Sequence, residues 1–332
     1  MTELIEFRAA IREAIIEEME RDESVVFFGE DVAAEQGGVF AVTPRIQERF
    51  GEARMFDTPI SELALAGAAF GAAVTGLRPI IEIMFGDFMG LAMDSLVNQS
   101  AKYWYISHEQ RPVPLVVRSA VGGGGRFGAM HSQTHGTWFQ GIPGLKIAFP
   151  SSPAEAKGLL KAAIRDDNPV IFLEHKRLYS MKGPADPAPG AGEVIPLGRA
   201  RVARSGKDVT IVSAGKGVPD ALEAAEHLAS DGVQAEVIDL RTLRPIDVDT
   251  VLESVGRTNR LLAVEEGPRT GGWASGLLGQ VAERGLHDID DAWVLATDEL
   301  PIPYSPTLED AFIPGAEAIA AAVRERAGIA VS

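Results

Sequence analysis

The chain has 332 residues, 46% of them hydrophobic, which is room for two domains with large buried cores. Its charge balance is 31 − 47 = −16, so nucleic acid and anionic membranes are excluded as partners. It has no cysteine, which removes disulfides, thiolate catalysis, iron–sulfur clusters and cysteine-type zinc sites. The start, Met1-Thr2-Glu3-Leu4-Ile5-Glu6, is acidic, without an apolar signal core or a transit pattern. The longest apolar stretch, Leu63 to Leu77, is too short for a membrane span and holds three glycines. A bacterial cytoplasm is the simplest address.

In chain order, Ile11, Ile15 and Met19 recur at helical spacing and predict an amphipathic helix over 4–20. Short apolar runs then read as buried strands: Val25–Phe28, Pro79–Met84, Val113–Arg118, Lys146–Phe149 and Val170–Glu174. Helical stretches 62–76, 91–107 and 153–166 separate them. Such alternation predicts an α/β fold with a mostly parallel sheet, covered by helices on both faces. The Pro/Gly-rich segment 182–192 is the domain boundary. A second alternating set follows: Val209–Ala214, helix 218–230, Ala235–Asp239, helix 247–255, Leu261–Glu265, helix 272–284 and Trp293–Thr297. Two domains are therefore expected, 1–185 and 193–332.

Asp57-Thr58-Pro59-Ile60-Ser61-Glu62 carries the strongest chemical signal. It sets Glu62 at the mouth of an apolar helix, where Ser61 can cap the first turn. An acid there is also favoured by the helix dipole, so Glu62 reads either as a helix-start residue or as a carboxyl tuned by dry surroundings. Glu30-Asp31 directly follows a predicted strand, in the zone where open α/β sheets bind ligands, and reads either as functional or as a solvated turn. Gly122–Gly125 form a run of four glycines, which suits a segment that moves or approaches a ligand closely. His131 lies just beyond and can serve as an acid or base near neutrality. His135 is four residues on, with no third metal ligand apparent. Residues 123–128 match G-x-G-x-x-G, but neither a helix nor a downstream acid follows, which speaks against a stand-alone nucleotide-binding oxidoreductase. Residues 265–272 read as an anion site at a helix N-terminus or as a turn. Gly67 and Gly71, four apart, read as close packing inside a domain or between subunits.

Thr58-Pro59-Ile60-Ser61-Glu62, Gly76-Leu77-Arg78-Pro79, His131-Ser132-Gln133, and the segments 156–161, 167–170, 240–247 and 303–309 resemble, in order and over nearly the whole chain, one family. It is the β subunit of thiamine-diphosphate-dependent 2-oxo acid dehydrogenases, covering the first components for pyruvate and branched-chain substrates and acetoin dehydrogenase. The resemblance implies a transketolase-like pyrimidine-binding domain followed by a transketolase C-terminal domain. It implies that Glu62 is the carboxyl addressing the cofactor's pyrimidine, Phe88 the aromatic against its face, and Ile60, Met84 and Glu30 neighbours; read alone, Phe88 is ordinary core. It assigns His131 to the active-site channel, with a part in transfer to lipoyl. Leu115, Ala163, Asp166 and Asn168 match positions where some relatives hold potassium, mainly through carbonyls. The Gly-Asp-Gly motif that holds Mg²⁺ and the diphosphate is missing, Gly86-Asp87-Phe88 being nearest, so an α subunit would supply it in an α₂β₂ heterotetramer. The implied further partner is a lipoyl-bearing dihydrolipoyl acyltransferase. Leu91 stands where some relatives carry Gln.

Overall fold

The structure, a computed structural model, describes residues 4–185 and 194–327. The chain divides into two compact units, residues 1–121 with 138–197, and 122–137 with 198–332. The expected boundary segment falls largely outside the described residues, but its start, Lys182–Pro184, is a strand.

The elements of the first half are β1 (Leu4–Glu6), α1 (Phe7–Arg21), β2 (Val25–Gly29), α2 (Ile46–Phe50), β3 (Met55–Asp57), α3 (Glu62–Val74), β4 (Arg78–Phe85), α4 (Tyr103–Ile106), β5 (Val116–Val121), α5 (Gly136–Gln140), β6 (Lys146–Ala148), α6 (Pro153–Arg165), β7 (Val170–His175) and β8 (Lys182–Pro184). Strands β6-β7-β5-β4-β2-β3 lie side by side, every pair parallel, with Phe28 opposite Ile81 and Val117 opposite Ile171. β2, β5 and β7 are buried at every residue, as strands covered on both sides must be. Ile11, Ile15 and Met19 of α1 are buried with Leu159, Leu160 and Ile164 of α6 in one core. Charged rims join the same two helices: Lys161 pairs with Glu17, and Arg165 with the buried Glu18.

The expected helix over 4–20 starts late, because Leu4–Glu6 pair antiparallel with β8. The expected helix over 91–107 is not continuous. Gly86–Ala92 form a tight 3₁₀ stretch, Asp94–Ser100 a π-helical turn, and only Tyr103–Ile106 an α-turn. The Asp94 carboxylate explains the widening: it accepts from Asn98 four residues on and Gln99 five residues on. π-turns of this kind are frequent at functional sites.

The second half continues with β9 (Arg201–Arg204), β10 (Val209–Ser213), α7 (Gly217–Ser230), β11 (Ala235–Asp239), β12 (Thr242–Arg244), α8 (Val248–Thr258), β13 (Arg260–Pro268), α9 (Trp273–Gly285), β14 (Asp291–Thr297), α10 (Pro306–Phe312) and α11 (Ala316–Ala327). β14-β13-β10-β11 form a parallel sheet, and β9 adds an antiparallel edge. Its core joins Ile211, Val237 and Leu262 to Ala221, Leu228 and Ile319 of the helices.

Candidate active site

In the first unit, the ends of β2 and β4 and the start of α3 gather carboxylates. Asp31 adopts φ 58°, a left-handed turn that Asp tolerates, so the chain leaves the sheet sharply after Glu30. The Thr58 N–H donates to the Gly29 carbonyl at 2.8 Å, holding the segment before α3 against the end of β2. The Ser61 side chain does not cap α3 as expected. Its backbone N–H lies near enough to the Glu30 carboxylate to favour that group's charged form. Glu30 and Glu62 are each only 6% exposed. Burial, and then the nearby Glu62 charge, push the Glu30 carboxyl above its usual range against that one N–H. Glu30 Oε1 is buried without a hydrogen-bond partner. A buried, unpartnered acceptor beside a second buried carboxyl is a place for a protonable ligand nitrogen.

Met84 is buried at the end of β4, and Phe88 sits edge-on to Phe85 at 6.2 Å. Phe88 is half-buried, so part of its ring remains available beyond the core. Ile60 is 83% exposed and Leu91 is exposed, so within this chain neither has a wall to pack on.

Behind this mouth lies an ionic cluster that the sequence did not announce. Arg118 on β5 donates to Glu174 on β7 through Nε at 2.7 Å and Nη2 at 2.8 Å, and through Nη1 to Glu82 on β4 at 2.6 Å. Tyr179 donates to Glu174 at 2.9 Å. One guanidinium serves two carboxylates, and burial holds the Glu82 carboxyl above its ordinary range. The Glu82 charge also helps to raise Glu30, linking the cluster to the mouth. Alternate positions 80, 82 and 84 hinted at a strand with one acid in an apolar run, which is the only signal that could have flagged it.

His131 belongs to the segment 122–137 that groups with the second unit. Its N–H donates to the Gly128 carbonyl at 3.3 Å, and Gly122 N–H to the Gln133 carbonyl closes the loop. The glycine amides are occupied: Gly123 N–H donates to Glu266 at 2.6 Å and Gly124 N–H to Glu309 at 2.8 Å. Carboxylates there repel a pyrophosphate, so G-x-G-x-x-G is a decoy here. The start of α9 is likewise filled from within. Glu265 accepts the N–H groups of Trp273 at 3.1 Å and Ala274 at 2.9 Å. Burial still pushes its carboxyl up to about 7.

The potassium candidates come together around the turn after α6. The Leu115 carbonyl accepts Val170 N–H at 2.8 Å, and the Ala163 carbonyl accepts Asp166 N–H at 3.3 Å. The Asp166 carbonyl accepts Arg78 Nη2 at 2.8 Å, its Oδ1 accepts both the Asn168 N–H and side-chain amide, and its Oδ2 pairs with Lys146. Among the described residues no group of three or more His, Asp or Glu side chains is placed to hold a metal, His131 and His135 included.

Two α/β units, the first with carboxylates at the mouth of a parallel sheet, fit a transketolase-type architecture, and the sequence comparisons agree. Residues 3–182 match the transketolase pyrimidine-binding domain and residues 198–319 the transketolase C-terminal domain. The chain is 45% identical to the acetoin:2,6-dichlorophenolindophenol oxidoreductase subunit beta of Cupriavidus necator, covering 98% of both chains. It is 43% identical to the 2-oxoisovalerate dehydrogenase subunit beta of Bacillus subtilis, covering 96% of this chain and 97% of the relative. It is 43% identical to the mitochondrial pyruvate dehydrogenase E1 component subunit beta of Caenorhabditis elegans, covering 97% and 92%. A split-gene transketolase solved as an inactive β₄ tetramer shares the fold at TM-score 0.79 and 23% identity, over 98% and 99% of the two chains. The chain belongs to the β subunits of the transketolase-like 2-oxo acid dehydrogenase first components, whose members act on pyruvate, branched-chain 2-oxo acids or acetoin. The family is that of thiamine-diphosphate-dependent oxidoreductases. Among the described residues no helix is long and apolar enough to cross a membrane.

Proposed function

We propose that the chain is the β half of a first component that oxidatively decarboxylates a 2-oxo acid, pyruvate or branched-chain, and passes the acyl group to the lipoyl group of a dihydrolipoyl acyltransferase. The observation that carries the reading is the pair of buried carboxyls, Glu62 at the start of α3 and Glu30 with its orphaned Oε1. These residues fit thiamine diphosphate, which when bound supplies the carbanion chemistry. Glu62 would hold or move a proton at the pyrimidine ring nitrogen. Glu30 would hold a proton beside it, since burial and the Glu62 charge favour its neutral form. Phe88, Met84 and Ile60 would bound the ring and exclude water. His131 would act in the channel through which the acyl group leaves. The α subunit would hold Mg²⁺ and the diphosphate in an α₂β₂ assembly, and the cytoplasm of a bacterium is the setting. A potassium ion is proposed at Leu115, Ala163, Asp166 and Asn168, where the bonded carbonyls of Leu115, Ala163 and Asp166 each keep a second lone pair.

Acetoin cleavage is the second reading, supported by the 45% identity to an acetoin oxidoreductase subunit. Co-purification with the partner subunit, then assay on pyruvate, branched 2-oxo acids and acetoin, decides between them. The isolated chain is expected to be inactive; turnover by the chain alone would overturn the shared site. His131→Ala should lower the complete reaction more than an artificial-acceptor assay, and equal losses would remove its transfer role. A higher melting temperature in potassium than in sodium at equal ionic strength tests the ion.

A further inference from the structure

The segment 303–309 is a motif that the proposed chemistry leaves without a task. It ends at Glu309, whose side chain is fully buried. The glycine loop fills this carboxylate. Oε1 accepts the Gly124 N–H at 2.8 Å, and Oε2 accepts the Arg126 N–H at 3.2 Å and its Nη1 at 2.7 Å. Arg126 also forks onto Asp310 at 2.8 and 2.7 Å and reaches the Pro306 carbonyl at 3.1 Å. Glu266 takes the neighbouring Gly123 N–H. A Cβ on Gly123 would lie 2.5 Å from Ile313, one turn beyond Glu309, so the loop backbone seats directly on α10 and the residue after it.

The loop's own backbone cannot hold this shape. Gly122, Gly124, Arg126 and Gly128 have φ of 90°, 83°, 63° and 73°, alternate left-handed residues in a glycine run whose ordering costs backbone entropy. Arg126 is the one of these four that pays a steric cost for that region. An external template is therefore needed, and a buried anion that gathers N–H donors from alternate residues supplies one. The loop closes on itself from Gly122 to Gln133, and the His131 N–H donates to the Gly128 carbonyl within it, so whatever fixes 123–126 bears on the backbone of His131.

We propose that Glu309, with Arg126 as its counter-ion, is a positioning residue: its carboxylate is the template on which the glycine loop folds, and it sets the place of His131 for acyl transfer. The functional half of this rests on the reading of His131 given above. The clamp itself does not.

The test uses Glu309→Gln, which keeps volume and loses charge, and Arg126→Ala, whose side chain is partly exposed and which retains the fold if the first variant does not. Amide hydrogen exchange of the full chain is read at 122–131, with β10 and β13 as internal references. Both variants should exchange about 10- to 100-fold faster at 122–131 alone, the loss expected for one charge-assisted hydrogen bond. Unchanged exchange there, or equal acceleration in β10 and β13, would overturn the clamp. In the complex with the partner subunit, the variants should lose kcat with a lipoyl acceptor more than with an artificial electron acceptor, at unchanged KM for the 2-oxo acid. Equal losses with both acceptors would overturn the positioning role. If His131→Ala itself were silent with the lipoyl acceptor, the His131 reading would fall, while the exchange result would still decide the clamp.

Discussion

The backbone N–H of Thr58 donates to the Gly29 carbonyl at 2.8 Å, between the residue directly before Glu30 and the segment that leads into α3. That hydrogen bond ties the end of β2 to the approach to α3, and Glu30 and Glu62, both buried, lie near enough for the Glu62 charge to raise the Glu30 carboxyl. Burial, and then the Glu62 charge, make Glu30 keep its proton more readily than it would in water.

Glu62→Gln is expected to keep the fold and the assembly while lowering decarboxylation by about 10²–10⁴, the usual worth of a positioned acid or base. Glu30→Gln should lose less, because its neutral form is already favoured. Steady-state rates with circular dichroism as a fold control are the measurement. Near-normal turnover of Glu62→Gln would reduce Glu62 to a helix-start residue.

Glu265 sets a pH dependence of stability. Its carboxyl is raised from 4.5 to about 7 by burial in the folded chain. A raised carboxyl binds its proton more tightly folded than unfolded. The stability it contributes is therefore complete below about pH 4.5, falls as pH rises toward 7, and stays level above that. The full swing is about 3 kcal/mol at most. Urea unfolding of the second unit at pH 5 and pH 8 should show a decline that Glu265→Gln flattens. An identical decline in the variant would assign the effect elsewhere.

Gly71 of α3 separates packing within the chain from packing against a partner. A Cβ there meets nothing within 4 Å, whereas at Gly67 it would touch Ser95 Oγ at 3.5 Å. The close-packing reading inside the unit therefore fails at Gly71. Gly71→Leu should leave the chain's own melting temperature unchanged or slightly higher, since glycine costs about 1 kcal/mol in a helix. It should also weaken the assembly and thiamine diphosphate affinity together. Sedimentation showing an intact tetramer with normal cofactor binding would remove α3 from the subunit contact.

Arg118→Met strands Glu82 and Glu174 as buried charges without their guanidinium. The expected loss is about 3–5 kcal/mol in denaturant unfolding, and Glu174→Gln added to it should restore part of that. A loss below about 1 kcal/mol would show that water reaches the cluster.

Much of the architecture is legible in the chain as written. The strands at 25–28, 170–174, 209–214 and 235–239 appear where apolar runs predict them, and α6 and α7 keep their expected bounds within a residue or two. These elements are set by local periodicity and by burial on every face, both of which are properties of neighbouring residues. The break-up of 91–107 was hidden because Asp94 ties the side chains of Asn98 and Gln99, four and five residues on, which no hydrophobic count records. β3 and β9 were missed because three- and four-residue strands at sheet edges have too little pattern to register.

By itself the sequence determined the α/β alternation, the excess of acid, the lack of thiols and the segments that carry the family likeness, all of which follow from composition and short-range order. Only the tertiary structure decided which charges meet. Arg118 finds Glu82 and Glu174 from 36 and 56 residues away, and Glu309 reaches Gly124 across 185. It also decided that the Ser61 hydroxyl does not cap α3. A buried charge must find every partner within about 3 Å, and that condition is satisfied by folding in space rather than by spacing along the chain.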